Sequence, residues 1–248
     1  MEASYQECEH HEFADNKGMY LVIFDLDGTL VDSKQDLVNS VNATREHMGL
    51  DHLDDAHVAS YVGRGAPALI RSSLGEQASD EDLERGLGYF LAYYREHMLD
   101  YTHLYPGVRE SIERLHSAGT RLAILTNKPA RFSEQMIDRL GLADRFFRIY
   151  GGNSFAQKKP DPIGIDKLCE ESRIAKDRTI MIGDSSVDIR TARNAGVRSC
   201  GVSYGFQPES FKHDPPDVVV DSMEEITDML LNASLHLLGT STALDVRS

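Results

Sequence analysis

Two spacings of apolar residues alternate along this chain. Short, largely apolar runs occur at 21–24 (LVIF), 121–127 (RLAILTN), 148–150, 178–182 (RTIMI), 198–203 and 217–220. They have the length and the Val, Ile and Leu content of strands buried on both faces of a parallel sheet. Between them, apolar residues return every three or four positions, the mark of helices that pack by one face. Such stretches cover 108–118, 131–140, 162–172, 186–195 and 223–231, and Gly119, Gly141 and Gly196 stop three of them. Strand and helix in alternation predict an α/β fold: a Rossmann-like parallel sheet core with helices on both faces.

One stretch departs from the alternation. Ser33 is placed to cap a helix in which Leu37, Val41, Thr44 and Met48 recur, ended by Gly49. A second helical pattern follows Asp54, breaks at Gly63-Arg64-Gly65, and gives way to a third that starts near Pro67. Ser79 with Asp80, Glu81 and Asp82 marks another helix start, leading into Tyr89, Phe90, Tyr93 and Tyr94. No strand-like run interrupts this region, so an all-helical module is inserted between the first and second strands. Tyr105-Pro106-Gly107 punctuates the return to the core. The expected division is a disordered N-terminal tail at 1–18, a core at 19–33 and 103–235, the helical insertion at 34–102, and a C-terminal tail at 236–248.

Composition narrows the functions. The 248 residues suffice for a core domain plus an insertion. A formal net charge of -14 argues against nucleic acid or an anionic membrane as partner, since either needs a basic surface. The same charge means that any anion site must be made locally positive. No apolar run approaches the length of a membrane span, and the polar opening lacks a signal-peptide core. Cys8, Cys169 and Cys200 are far apart, as expected of reduced thiols in a cytoplasmic protein. Cys8, His10 and His11 could take a metal, but they are also ordinary content for a charged tail. A small-molecule partner is expected, for a monomer or a homodimer.

The candidate chemistry sits at the ends of the strands. Four clusters stand there: Asp25-Leu26-Asp27-Gly28-Thr29, Thr126-Asn127-Lys128, Lys158-Lys159-Pro160-Asp161-Pro162, and Gly183-Asp184-Ser185-Ser186-Val187-Asp188. Each alone has a plain explanation as a turn, a helix cap or a surface loop. Ligands of open parallel sheets lie beyond the carboxyl ends of the strands, so the four are predicted to meet in one place. Carboxylates ending an apolar strand are costly unless paired, and a divalent metal is the simplest partner. Side chains two apart on a continuing strand point the same way. Gly28 predicts that the strand breaks there and re-aims Asp27.

These four clusters, in this order, resemble the motifs of the haloacid-dehalogenase-like hydrolases, over residues from about 20 to 222. The inserted helices match the cap that this family places between its first two motifs. The resemblance implies a phosphatase with Asp25 as nucleophile, forming an aspartyl-phosphate. It implies Mg²⁺ held by Asp25, Asp184 and the main-chain carbonyl of Asp27, with Asp188 as a further ligand or as an acceptor behind the ligands. Without such an ion, a phosphate approaching these acids meets roughly 4 kcal/mol per unit-charge pair at about 4 Å. Lys159, chosen over Lys158 because it directly precedes the proline, supplies a fixed positive charge. Thr126 offers a hydroxyl and Asn127 an amide N–H to the phosphate. Asp27 is implied as the general acid and base. Dehalogenase members lack that second aspartate, so its presence favours phosphate chemistry.

The substrate is read from the inserted helices. Gly63 and Gly65 permit close backbone approach, and Arg64 between them could bind a carboxylate as a bidentate fork or be a solvated loop cation. Residues 25–33, the Val62–Ala66 string, 105–108, 126–129, 158–162 and 203–206 are similar to the phosphoglycolate phosphatase subgroup. The expected reaction is therefore 2-phosphoglycolate to glycolate and phosphate. A phosphomutase resembling β-phosphoglucomutase, a pyrophosphatase, and a non-catalytic module that keeps the fold are the alternatives.

Overall fold

A computed structural model describes residues 20–239, with side chains placed through Asn232. The expected N-terminal tail, including the Cys8, His10 and His11 group, lies outside the described residues. Strand β1 (Leu21–Phe24) is followed by the two-residue β2 (Val31–Asp32). Four helices come next: α1 (Lys34–His47), α2 (Asp55–Ser60), α3 (Ala66–Leu74) and α4 (Asp80–His97). After β3 (His103–Leu104) come α5 (Val108–Ser117), β4 (Arg121–Leu125), α6 (Ala130–Arg139) and β5 (Arg148–Tyr150). The chain continues with α7 (Ile163–Ser172), β6 (Thr179–Gly183), α8 (Ser186–Ala195), β7 (Arg198–Val202), β8 (Val218–Val220) and α9 (Met223–Gly239).

Six strands form one parallel sheet in the order β5-β4-β1-β6-β7-β8. β1 lies at the centre, and the chain winds outward from it in both directions. Phe24 is in register with Ile124 of β4 on one side and Ile182 of β6 on the other. Every residue of β1 is fully buried, because helices cover both faces. Val22, Phe24, Ile124 and Ile182 face one core with α5, α6 and α9, while Leu21, Ile23, Ala123 and Met181 face a second core with α7 and α8. Each fully buried aliphatic side chain contributes about 1.5–3 kcal/mol relative to exposure. This packing fixes the strand ends from which the chemistry projects.

Helices α1, α3 and α4 share the first of these cores through Leu37, Val41, Ile70, Phe90 and Tyr94, so they are continuous with the sheet layer. Helix α4 opens with the Ser79–Asp82 capping box that its sequence announces. β2 and β3 pair antiparallel, where the chain leaves for the helices and returns. No apolar periodicity could reveal so short a ribbon. A buried acid reinforces the crossing: Asp36 of α1 accepts hydrogen bonds from the Tyr101 and Thr102 main-chain N–H groups and from the Thr102 hydroxyl. β1 falls where the apolar run 21–24 placed it, whereas α9 runs to Gly239, past the helix predicted over 223–231. No described helix is long and apolar enough to cross a membrane.

Candidate active site

The central strand carries Asp25 into the crevice formed where β4 and β6 leave β1 in opposite directions. Its main-chain N–H still bonds the Ile182 carbonyl at 2.9 Å, so the sheet ladder fixes the position of this residue. Its carboxylate lies 2.9 Å from Lys159 Nζ, and the same ammonium donates to Asp188 Oδ1 at 2.6 Å. The other Asp188 oxygen accepts from the Ser185 hydroxyl and main-chain N–H, at 2.7 and 3.2 Å. Asp188 thus holds Lys159 beside Asp25, with both of its oxygens engaged. Asp184 Oδ2 accepts from the Phe206 N–H at 2.7 Å. Lys158 points elsewhere, donating to the Arg64 carbonyl.

Asp25, Asp184 and Asp188 are all buried, and one oxygen of each lies within 4.8 Å of the others. Three carboxylates therefore crowd together, and the one ammonium among them, Lys159, is paired to two. Burial pushes the Asp25 carboxyl up to about 6; Lys159 opposes this and Asp188 adds to it. Burial, then Asp188 and Asp25, drive Asp184 well above the usual carboxylate range. For Lys159, burial works against the charged form, but Asp188 and Asp25 more than offset it and hold the ammonium above its ordinary value. A cluster short of positive charge, built of oxygen donors, suits a hard divalent cation.

Asp27 stands outside that acid cluster. The turn over 26–31, with Gly28 at φ +83°, swings its carboxylate away from Asp25. It accepts from the Ser33 hydroxyl at 2.6 Å and from Lys128 Nζ at 2.8 and 3.0 Å. Ser33, expected to cap α1, therefore spends its side chain on Asp27 and makes no capping bond. Lys128 also donates to the hydroxyl of Tyr94, a fully buried residue of α4. Burial would lower the Lys128 pKa, but Asp27 and Tyr94 outweigh it and raise it. The sequence assigned no role to Lys128 or Tyr94. Their only signal was the position of Lys128 next to Thr126 and Asn127.

Thr126 and Asn127 are buried at the end of β4. The Thr126 hydroxyl accepts from the Lys128 main-chain N–H at 3.3 Å. The Asn127 side-chain amide is committed to two carbonyls, Gly63 at 2.9 Å and Lys159 at 3.0 Å, so any phosphate contact falls to its main-chain N–H. Asn127 thereby ties the inserted helices to the Lys159 loop. Gln207 makes a second tie, donating to the carbonyls of Ala59, Ser60 and Val62. Between the helices and the sheet lies a cavity of 40 Å³ bordered by Asp25, Asp27, Thr126, Asn127 and Lys128. The rest of its wall is largely apolar, with Leu37, Val62, Leu69, Phe90 and Phe132. A wider cleft of 580 Å³ adjoins it and carries Arg95, Arg131 and Lys158. Arg64 is exposed and borders neither space.

Two glycines let the backbone close around Asp184. A Cβ on Gly28 would lie 2.3 Å from Asp184 Oδ2, and one on Gly205 would lie 2.2 Å from Asp184 Cβ. Gly28→Ala meets both this clash and its positive φ. It is expected to cost about 1–3 kcal/mol of stability and, by displacing Asp184, to lower phosphate release at least about tenfold. Thermal melting with steady-state assays checks this; a variant with wild-type melting and turnover would contradict the stated packing.

The sequence matches the haloacid dehalogenase-like hydrolase family over residues 22–202. The chain belongs to that family and is a hydrolase. Among curated relatives, a phosphoglycolate phosphatase of Vibrio vulnificus is 38% identical over 218 residues, covering 85% of this chain and 96% of that protein. One from Chromobacterium violaceum is 39% identical over 220 residues, covering 87% and 98%. The crystal structure of a predicted phosphoglycolate phosphatase from Haemophilus somnus superposes with a TM-score of 0.80 at 28% identity, over 87% of this chain and 98% of that one. A predicted phosphatase from Clostridium acetobutylicum gives a TM-score of 0.76 at 27% identity, over 86% and 99%.

Proposed function

We propose that this chain is a Mg²⁺-dependent phosphatase of small phosphomonoesters, above all 2-phosphoglycolate, which it hydrolyses to glycolate and phosphate. The observation that carries the reading is Asp25: a buried carboxylate at the end of the central strand, beside Lys159 and open to the 40 Å³ cavity. An Asp25 oxygen attacks phosphorus, the bond to the ester oxygen breaks, and an aspartyl-phosphate results. The Thr126 hydroxyl and the Asn127 main-chain N–H hold phosphate oxygens while Lys159 balances their charge. Asp27 gives a proton to the departing oxygen. It then takes one from the water that attacks phosphorus, releasing phosphate and restoring Asp25. Asp25, Asp184 and the Asp27 main-chain carbonyl would hold the Mg²⁺, with Asp188 fixing Lys159 beside them. Bound there, the ion supplies positive charge that offsets repulsion between the acids and the phosphate. Helices α1–α4 act as a cap that keeps bulk water from the reacting atoms. The free thiols Cys169 and Cys200 suit a cytoplasmic enzyme.

Three observations support the choice of substrate. Relatives in two genera are phosphoglycolate phosphatases by name. The inner cavity is narrow, at 40 Å³, which suits a compact ester better than a sugar phosphate. Its largely apolar wall would leave the hydroxyls of a sugar phosphate short of partners, which weighs against the phosphomutase reading. The test is kcat/KM with Mg²⁺ for 2-phosphoglycolate, glucose 1-phosphate, glucose 6-phosphate, ethyl phosphate and pyrophosphate. 2-Phosphoglycolate is expected to lead the series. A sugar phosphate or pyrophosphate in first place would overturn the assignment.

A further inference from the structure

We propose that Lys128 is the group that recognises the carboxylate of the substrate, a role the sequence gave to Arg64. The proposal rests on the reading of a small carboxylated phosphoester above. Among the described residues that line the inner cavity, Lys128 is the only cation. It is 7% exposed, so its charge acts in a poorly screened space. Its place along the reaction axis also fits. Lys128 Nζ lies 2.8 and 3.0 Å from the oxygens of Asp27, the residue that serves the leaving oxygen. In 2-phosphoglycolate a single methylene separates that oxygen from the carboxylate carbon. A carboxylate whose ester oxygen sits at Asp27 therefore falls within reach of the neighbouring ammonium.

The hydrogen bonds of the ammonium show how it would engage. Its three protons go to the two Asp27 oxygens and to the Tyr94 hydroxyl. The first two acceptors are charged; the third is neutral. A substrate carboxylate is the stronger acceptor and displaces the hydroxyl. Tyr94 is well placed for this exchange. Its ring stacks on Phe90 at 5.6 Å and meets Phe132 edge-on at 5.5 Å, which fixes the hydroxyl beside the ammonium. The two Asp27 bonds hold Lys128 at the cavity when the hydroxyl is released. The hydroxyl proton then becomes a second donor to the same carboxylate.

The rival account is that Lys128 only positions Asp27. That role would affect every ester alike, whereas recognition changes the ratio between esters. The experiment compares kcat/KM for 2-phosphoglycolate and for its neutral isostere, 2-phosphoglycolamide, in wild type and Lys128→Met, with far-ultraviolet circular dichroism as the folding control. Wild type is expected to prefer the carboxylate on the order of a hundredfold, and Lys128→Met to bring the ratio within about threefold of unity. Should Lys128→Met fail to fold, Lys128→Gln, which keeps polar contacts to Asp27 and Tyr94, carries the same comparison. A wild-type preference that survives the loss of the ammonium overturns the role of Lys128 and leaves the substrate reading standing. No preference in wild type overturns both.

Discussion

Asp25→Asn is expected to abolish phosphate release, with a loss in kcat of at least about 10⁴. The amide has nearly the shape of the carboxylate, so packing around β1 is preserved. It has no anionic oxygen with which to attack phosphorus. Lys159 would remain paired to Asp188 at 2.6 Å, so the cation stays in place when Asp25 is neutral. Loss of activity in a folded protein therefore reports the nucleophile. Acid-quenching the wild type during turnover should trap a covalent phosphoenzyme that is absent from Asp25→Asn. Unchanged release in the variant, or no trapped species under single-turnover conditions, would remove the aspartyl-phosphate from the mechanism.

The second large effect concerns the crowding of acids around Lys159. With divalent ions chelated, stability should fall as pH rises from about 4 to 6 and beyond. Asp25 has its pKa raised from 3.8 to about 6 in the folded chain, and Asp184 is raised well above its usual value. In that window the unfolded chain has lost protons that the folded chain keeps, so deprotonation favours unfolding. One pKa unit corresponds to about 1.4 kcal/mol, so Asp25 alone contributes up to roughly 3 kcal/mol. For a chain of this size that is about 6–12 °C in Tm. Asp184→Asn removes one of the repelling charges and keeps an oxygen for the Phe206 N–H. In chelator at pH 7.5 this variant should melt higher than wild type, and it should lose both the rise in Tm on adding Mg²⁺ and nearly all turnover. Calorimetry at pH 5 and 7.5, with chelator and with Mg²⁺, decides this. A variant that melts lower in chelator, or keeps its response to Mg²⁺, would show that Asp184 is not part of a repelling metal site.

The helical region and the sheet were legible because their signals are local. β1 reads as a buried strand from Leu21-Val22-Ile23-Phe24, and α4 announces its start with Ser79 and Asp82. The four polar clusters were legible for the same reason; three directly follow β1, β4 and β6, and the Lys159 cluster lies in the loop between β5 and α7. β2 and β3 were not legible, since a two-residue strand has no period to detect. Asp36 lies in the first turn of α1, and its partners, Tyr101 and Thr102, lie 65 and 66 residues away, beyond any local pattern.

By itself the sequence determined which segments bury their side chains, where the chain turns, and which residues stand at the strand ends. Only the tertiary structure decided how those residues are shared out. It gave Lys159 to Asp25 and Asp188, and it gave Lys128 to Asp27 and to Tyr94. It turned the Asn127 amide toward Gly63 and left Arg64 exposed, outside both cavities. Hydrophobic periodicity reports burial, which neighbouring residues determine together. Pairing between charges depends on which loops the sheet brings within a few ångströms, and no local pattern encodes a contact between residues 101 positions apart.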